Sequence, residues 1–455
     1  MSEAAVRSES QIEAATPTAR LITRLDALSA QEPPVAAAAV AKQCLLDWIG
    51  VSLAGRHEPL VNILMDELAL PNRPDGCAVL GRSTRLRIDD AVLINGAMGH
   101  ALDFDDVIIP MGHPTVPVAP VVFALAEHGN HSGQDVIAAF IVGVEAECRV
   151  SHLMGPSHYA RGWHGTATFG TFGAAMAACR LLGVSDPRTI ANAFGIAATQ
   201  AAGLKASIGT MCKPLHAGKA AQNGLLAARL AARGFTSDPD TLGSPQGFAD
   251  TASTTVDLDG ALAERNMPWI AQALFKYHAA CYLTHDTIEA ANMLRIEETV
   301  LPAAIERVTV RVPRDYLRIC NIAEPATGLE CKFSLRMTAA MALAGEDTFD
   351  ETLFSDATAR RADLVALRDR VMIDPTQTGR ASSVEVVLKD GRTLVRTSDV
   401  SQPLADLDAQ QAKVERKFRH LTRSILSSNA VDEVIALCRA LEAQPNLQRL
   451  ISLIG

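Results

Sequence analysis

Acids and imidazoles crowd into one stretch of the chain, GHALDFDDVIIPMGHP from Gly99 to Pro114. Apolar, alanine-rich sequence flanks the stretch on both sides. Burying unpaired charge is costly, so these acids must be hydrated, paired or hydrogen-bonded. The stretch is therefore either a capped helix end on the surface or part of a cleft. Its acids are Asp103, Asp105 and Asp106, and its histidines are His100 and His113.

His113 lies between Gly112 and Pro114, which indicates a turn with a projecting ring. Such a histidine is either solvated or a proton carrier, because imidazole titrates near neutral pH. His100 stands inside the preceding helical pattern, which predicts a packed or capping residue.

A second cluster, SHYARGWHGTATFGTFG, contains Tyr159, Arg161 and His164 just before a predicted helix. The free N–H groups of a helix N-terminus attract anions, and Arg161 and His164 would stand beside them. The glycines that follow match neither a dinucleotide fingerprint nor a phosphate loop, because no strand precedes them and no lysine follows in register. We interpret them as positions of close helix packing.

A third cluster, MCKPLHAGKAA, places Lys213 before Pro214, which predicts an extended Lys213 just ahead of a helix. A cation at a helix start opposes the helix dipole, so helix stability does not explain this lysine. A carboxylate ligand bound by Lys213 would explain it.

The fourth cluster, FKYHAACYLTHD, holds Lys276, Cys281 and His285. The Cys and His spacings allow zinc, but no second cysteine pair or matching acid follows, so we favour an anion-binding lysine and expect no metal. None of the four clusters contains a convincing nucleophile or a GxSxG elbow. The groups present suit proton abstraction beside a carboxylate, with lysine and arginine neutralising the developing negative charge.

Composition limits the function classes. The chain has 455 residues, 48% of them hydrophobic, and a net charge of −9. Without a Lys/Arg block, nucleic acid and anionic membranes are not expected partners. Its nine cysteines form no CxxC pair, which favours reduced thiols in the cytoplasm. No membrane span is expected, because charged residues interrupt the longer apolar runs.

Helical periodicity predicts an all-helical domain over residues 17–273, preceded by a flexible leader at residues 1–16. Between 274 and 403, an alternating run at Arg307–Val312 and a hairpin around Asp390–Gly391 predict an α+β domain. Helices return in residues 404–455, which we expect to pack back on the first domain. The fold class is therefore mainly α, with a smaller α+β domain. Further helices are predicted at 60–68, 88–101, 118–128, 134–150, 166–182, 187–202, 216–232, 335–344, 359–371, 409–421 and 430–441.

The motifs HALDFDD…HP, YARGWH and KPLHAGKAA, followed by a Lys…Cys…His segment, together resemble the MmgE/PrpD family over nearly the whole chain from residue 17. This family includes 2-methylcitrate dehydratases, cis-aconitate decarboxylases and iminodisuccinate epimerase. The resemblance implies a helical domain with an α+β lid, a homodimer without metal or other cofactor, and a site between the domains. That site would use Asp103, His113, His164, Lys213 and Lys276.

On this basis we expect His113 to be the principal acid/base, oriented by Asp103, and His164 to be the second proton carrier. Lys213 and Lys276 would hold substrate carboxylates. The remaining acids, Asp105 and Asp106, are expected only to cap and solvate the turn. Substrate binding is assigned to Tyr159, Arg161, Cys281 and His285.

The sequence also departs from two branches of the family. The decarboxylases carry histidine where Cys281 aligns and threonine where Val107 stands, and methylcitrate dehydratases have a longer segment before the HP pair. We therefore expect a cofactor-independent hydro-lyase of the 2-methylcitrate dehydratase type, acting on a small di- or tricarboxylate. The alternatives are a polycarboxylate epimerase, a cis-aconitate-type decarboxylase, or a non-catalytic carboxylate-binding protein.

Overall fold

The computed structural model describes residues 16–68 and 72–455. The predicted leader, apart from its last residue, lies outside the described residues. Two compact units make up the chain: unit 1 runs to Ala273 and resumes at Asp406–Gly455, and unit 2 spans Leu274–Ala405. The boundaries predicted from the sequence were 273/274 and 403/404.

Helices dominate the described residues, and short 3-10 turns join several of them. A small hairpin, β1 (Cys77–Ala78) and β2 (Arg85–Leu86), lies in unit 1, and four further strands lie in unit 2. The helices are α1 (Pro17–Ser29), α2 (Val35–Gly55), α3 (Pro59–Leu68), α4 (Ile88–Gly99), α5 (Thr115–Gly129), α6 (Gly133–Ala160), α7 (Gly165–Leu181), α8 (Pro187–Ala198), α9 (Cys212–Ala231), α10 (Phe248–Ala252), α11 (Leu258–Leu262), α12 (His285–Glu297), α13 (Gly328–Cys331), α14 (Leu335–Ala344), α15 (Asp356–Ala359), α16 (Ala362–Arg368), α17 (Leu407–Thr422), α18 (Ser428–Arg439) and α19 (Gln448–Ile454).

Unit 1 is built on helices that approach one another closely. Helix α9 packs against α7 and α4, and α6 packs against α7. At the α4–α9 crossing, a Cβ on Gly96 would lie 2.8 Å from the Cα of Gly218, and one on Gly218 would lie 2.3 Å from the Leu93 carbonyl oxygen. Such contacts are too short for any side chain, so glycine at both positions sets the spacing of the two helices.

The C-terminal segment belongs to the same unit, because α17 packs against α2. Helix α2 is long and apolar enough to cross a membrane by length and composition, but 72% of its most apolar window is buried. That burial is what the core helix of a helical domain shows.

Unit 2 contains a four-stranded sheet in the order β4–β3–β5–β6. Strand β3 (Ile305–Arg311) pairs in parallel with β4 (Val371–Asp374) and antiparallel with β5 (Ser382–Leu388), which pairs antiparallel with β6 (Thr393–Ser398). Helix α12 packs against β5 and β6, and α14 packs against β3 and β4. Alternating valines of β3 and β5 are buried beneath them, which explains the period of two in the sequence.

The mainly helical fold with a small mixed sheet confirms the predicted fold class, and the hairpin turns at Asp390–Gly391 as expected. Three details were wrong. The first domain contains the hairpin β1–β2 and is not purely helical. The helix predicted over 359–371 is shorter, Ala362–Arg368, and its last predicted residue begins β4. Lys213 is helical and not extended. Pro214 lies in the first turn of α9, where backbone N–H groups have no partner within the helix, so a proline there costs no hydrogen bond.

Candidate active site

Two histidines meet where α4 ends and α5 begins. His100 is the C-cap residue of α4, and His113 lies two positions before Thr115, the first residue of α5. The loop between them closes on itself through backbone hydrogen bonds of 2.8 and 2.9 Å between Ile108 and Gly112. The ring centroids of the two histidines are 4.5 Å apart as a result.

Asp105 lies between these rings. Its Oδ1 is 2.8 Å from His100 Nδ1, and its Oδ2 is 2.9 Å from His113 Nδ1. Burial alone would raise the pKa of Asp105, but the two histidines hold that pKa well below its usual value. Burial lowers the pKa of His100 to about 4 against the pull of Asp105, so His100 is a neutral N–H donor to a carboxylate.

Asp103 occupies the other side of His113. Its backbone is left-handed, with a φ of 50°. Its half-exposed carboxylate is 2.6 Å from Lys213 Nζ and 3.5 Å from His113 Nε2. With Nδ1 directed to Asp105, His113 presents Nε2 on the more exposed side, where a proton can be exchanged with a substrate.

His164 joins the cluster from the start of α7, where it is the N-cap residue. Its ring stacks at 6.2 Å on His100. Burial, with smaller contributions from His100, His113 and Lys213, lowers the pKa of His164 to about 2. His164 is therefore neutral near neutral pH.

The start of α7 also positions His113. The His113 amide donates to Thr166 Oγ1 at 3.1 Å. A Cβ on Gly165 would lie 2.3 Å from the Met111 carbonyl oxygen, so only glycine lets the loop come this near. Two of the predicted proton carriers are thus held against the same helix start.

A buried lysine supports the loop from behind. Lys417 of α17 donates to the Phe104 carbonyl oxygen at 2.6 Å, and its Nζ lies 2.7 Å from Asp47 Oδ1. Asp106 accepts a hydrogen bond of 2.7 Å from Thr115, and burial raises its pKa to about 7. The expectation that Asp105 and Asp106 only cap and solvate the turn was wrong, since both are 1% exposed.

The cluster offers ligand atoms that could surround a metal ion. One atom from each of His100, Asp103, Asp105 and His113 lies within 4.8 Å of the others. However, the contacts of Asp105 have hydrogen-bond length, and His113 turns its two nitrogens to two different carboxylates. As arranged, the donor set fits proton transfer better than coordination.

The loop residues assigned to substrate binding lie next to His164. Tyr159 and Arg161 are exposed at the end of α6. Lys205 Nζ lies 3.5 Å above the Tyr159 ring and donates to the Tyr159 carbonyl oxygen at 3.0 Å. The guanidinium of Arg161, three residues before His164, is an exposed cation.

The remaining assigned residues belong to unit 2. Lys276 is 6% exposed and His285 is 1% exposed. Burial, together with the neighbouring His278, lowers the pKa of His285 well below its usual value, and its Nε2 is 3.2 Å from the Ala280 carbonyl oxygen. Cys281 is half-buried, and a hydrogen bond with it is the largest cause of a raised pKa at the Cys320 thiol.

Sequence reasoning missed three members of the cluster in unit 1: His100, Asp105 and His216. His216 Nδ1 lies 3.1 Å from His164 Nδ1. Its spacing of three residues from Lys213 was a usable signal, because residues i and i+3 share one face of a helix. No comparable signal separates Asp105 from its two neighbouring acids.

Comparison with known proteins identifies the family of the chain. A model of the MmgE/PrpD N-terminal domain matches residues 19–261, and one of the C-terminal domain matches residues 278–442. The chain belongs to the MmgE/PrpD family. These matches confirm the resemblance on which the sequence-based assignments rest.

Three relatives are similar to the chain, two of them over most of their length. The cis-aconitate decarboxylase of Homo sapiens is 29% identical over 423 residues, covering 88% of this chain and 86% of the relative. The cis-aconitate decarboxylase of Aspergillus terreus is 28% identical over 451 residues, covering 91% of each chain. A cis-aconitate decarboxylase-like protein of Aspergillus oryzae is 35% identical over 230 residues, covering 48% of this chain and 47% of the relative.

Proposed function

We propose that this enzyme transfers a proton at the carbon next to a carboxylate of a small di- or tricarboxylate. The observation that supports this most directly is His113, whose Nδ1 contacts the buried Asp105 and whose Nε2 faces Asp103. A buried carboxylate 2.9 Å from Nδ1 favours a proton on that nitrogen, which leaves Nε2 as the base for general acid–base catalysis. Lys213 adds a cation 2.6 Å from the Asp103 carboxylate that Nε2 faces.

The reaction class we favour is a hydro-lyase of the 2-methylcitrate dehydratase type. His113 Nε2 takes the proton from carbon, and the electron pair of the C–H bond forms the new double bond as hydroxide departs. His164, neutral and carrying an N–H, protonates the hydroxide. Lys213 stabilises the enediolate charge that develops on the substrate carboxylate. Val107 and Cys281 stand where the decarboxylases carry threonine and histidine, which argues against decarboxylation.

Decarboxylation of cis-aconitate is the second candidate, because the relatives that cover most of the chain carry that name. This reaction would use the same acid/base groups, but they would deliver a proton to carbon after carbon dioxide leaves. The third outcome is epimerisation, in which the proton returns to the opposite face.

The test is a proton NMR assay in D₂O with citrate, methylcitrate, cis-aconitate and iminodisuccinate. A new olefinic signal with water loss supports the hydro-lyase, and carbon dioxide release from cis-aconitate supports the decarboxylase. Deuterium at a stereocentre of recovered substrate supports the epimerase. If none of the four compounds turns over or raises the Tm, the proposed substrate class is wrong.

The first prediction concerns His113. His113→Ala should lower kcat by about 10²-fold or more on the substrate found in that assay, because general acid–base groups contribute 10²- to 10⁴-fold. His128→Ala, at an exposed position in the last turn of α5, is the control and should retain wild-type activity. Near wild-type turnover by His113→Ala would exclude this role.

A further inference from the structure

His164 does not stand alone at the start of α7, because a second imidazole contacts it. His216, in the first turns of α9, places its Nδ1 3.1 Å from His164 Nδ1. The two ring centroids are 5.3 Å apart. A Cβ on Gly203 would lie 2.4 Å from the Ala167 Cβ and 3.3 Å from the His216 ring, so glycine at that position leaves room for both.

A contact between two Nδ1 atoms couples the tautomers of both rings. A neutral imidazole carries one N–H, so one Nδ1 must donate and the other must accept. If His216 donates, His164 carries its own proton on Nε2 and is an acid towards a substrate. If His164 donates, its Nε2 is bare and is a base.

The surroundings favour His216 as the donor. His164 is 5% exposed and borders His100 and His113, whereas His216 is half-buried. Burial and then Lys213 lower the pKa of His216, but the pKa of His164 falls further, to about 2. His216 is the ring nearer to solvent, with which it can exchange a proton, so we assign the proton between the rings to His216.

We propose that His216 is a positioning residue for His164: its Nδ1–H holds His164 in the Nε2–H tautomer and resupplies the proton that His164 gives away. The chemical consequence of this assignment rests on the proposed function. The role of His216 and the proton route go beyond that function. In the elimination, His164 Nε2–H gives its proton to the departing hydroxide and water forms. His164 Nδ1 takes the proton of His216 Nδ1, and His216 Nε2 takes a proton from solvent, to which His113 releases the proton that it removed from carbon. Both rings end neutral with their tautomers exchanged, and the reverse transfers restore the starting tautomers before the next turnover.

Two nearly isosteric variants separate the outcomes. The side-chain amide nitrogen of His216→Asn falls close to the imidazole Nδ1 and can still donate, whereas His216→Asp offers only an acceptor there. We expect long-range ¹H–¹⁵N NMR of histidine-labelled protein to show His164 as the Nε2–H tautomer in the wild type and in His216→Asn. In His216→Asp, His164 should switch to Nδ1–H. His164→Gln assigns the resonance.

The kinetic readout is separate from the spectroscopic one. His216→Asn keeps the tautomer but cannot relay a proton, so kcat should fall about 10-fold, and His216→Asp should lose about 10²-fold or more with little change in KM. His128→Asn and His128→Asp are controls for the same chemical changes at an exposed position. Tm values show whether each variant is folded.

The proposal is overturned if wild-type His164 is the Nδ1–H tautomer, or if His216→Asp leaves that tautomer unchanged. It is also overturned if both variants keep kcat within twofold of the wild type. The NMR result needs no turnover, so it distinguishes failure of this assignment from failure of the proposed function.

Discussion

Asp105 is the side chain on which the histidine arrangement depends. It is 1% exposed and directs one oxygen to His100 and the other to His113. A buried carboxylate stays ionised only when nearby donors compensate for its lost hydration, and here two imidazoles do so. Removing the charge should disturb both rings together.

The prediction at this scale is that Asp105→Asn lowers kcat by about 10²-fold, because an amide can accept from one histidine but turns an N–H towards the other. Asp106→Asn is the matched comparison one position later. Burial raises the pKa of Asp106 to about 7, so below that pH an amide resembles the protonated acid already there. Assayed near pH 6, Asp106→Asn should lower kcat much less than Asp105→Asn does. Equal losses would show that the loop's fold, and not the Asp105 charge, explains the result.

Single residues also show where sequence reasoning stops. The turn at His113 and the isolated Lys213 were visible as unusual residue types in unusual places. The difference among Asp103, Asp105 and Asp106 was not visible, because it follows from the path of the loop. A φ of 50° at Asp103 places that carboxylate beside Lys213, while Asp105 is enclosed. Local propensity does not encode such a path.

At the scale of elements, the crossing of α4 and α9 determines which residues meet. Helix α4 ends at His100, and α9 carries Lys213 and His216 in its first turns. Gly96 and Gly218 allow the two backbones to touch. The spacing of these helices therefore sets the distance from the first histidine to the lysine.

We predict that Gly218→Ala destabilises the protein by about 1–3 kcal/mol, the usual cost of overpacking. Its Cβ would meet only backbone and Ala97 atoms, at 2.3 to 3.1 Å, and these cannot move aside as a flexible side chain can. In an unpacked helix the same change would add about 1 kcal/mol of stability. Urea unfolding measures the change in the free energy of unfolding. Lys219→Ala, at an exposed position of the same helix, is the control. A Gly218→Ala variant as stable as the wild type would contradict the close crossing.

Periodicity in the sequence identified most elements well, and α14 was predicted from end to end at 335–344. The strand β4 was missed because its pairing with β3 is parallel and distant in sequence. Val371, the first residue of β4, was assigned instead to the end of the helix predicted over 359–371. Parallel pairing depends on tertiary contacts that a local pattern does not contain.

At the scale of the whole molecule, the buried acids behind the site link stability to pH. Burial raises the pKa of Asp106 from 3.8 to about 7 and that of Glu147 well above its usual value. Between the unfolded and folded pKa values, the folded protein keeps a proton that the unfolded chain has lost. Raising the pH through this window therefore lowers the contribution of these acids to the free energy of unfolding.

For Asp106 we expect a loss of about 2 kcal/mol between about pH 5.5 and pH 7, at about 1.4 kcal/mol per pH unit. Asp106→Asn should remove that part of the slope and leave the part due to Glu147. Urea unfolding at about pH 5.5 and pH 8 measures both proteins. Buried histidines with lowered pKa values, such as His100, His164 and His285, add a slope of the opposite sign to both proteins. The test is therefore the difference between the two proteins, and a variant with an unchanged slope would contradict the assignment.

The order in which the chain is made has a consequence for Lys417. This lysine binds the carbonyl oxygen of Phe104, a residue 313 positions earlier. At 5–20 residues per second, roughly 15 to 60 s of translation separate the two. During that interval the candidate acids and histidines have been synthesised, but the buried cation that fixes their loop has not. Unit 1 therefore completes its site only after the whole of unit 2 has left the ribosome.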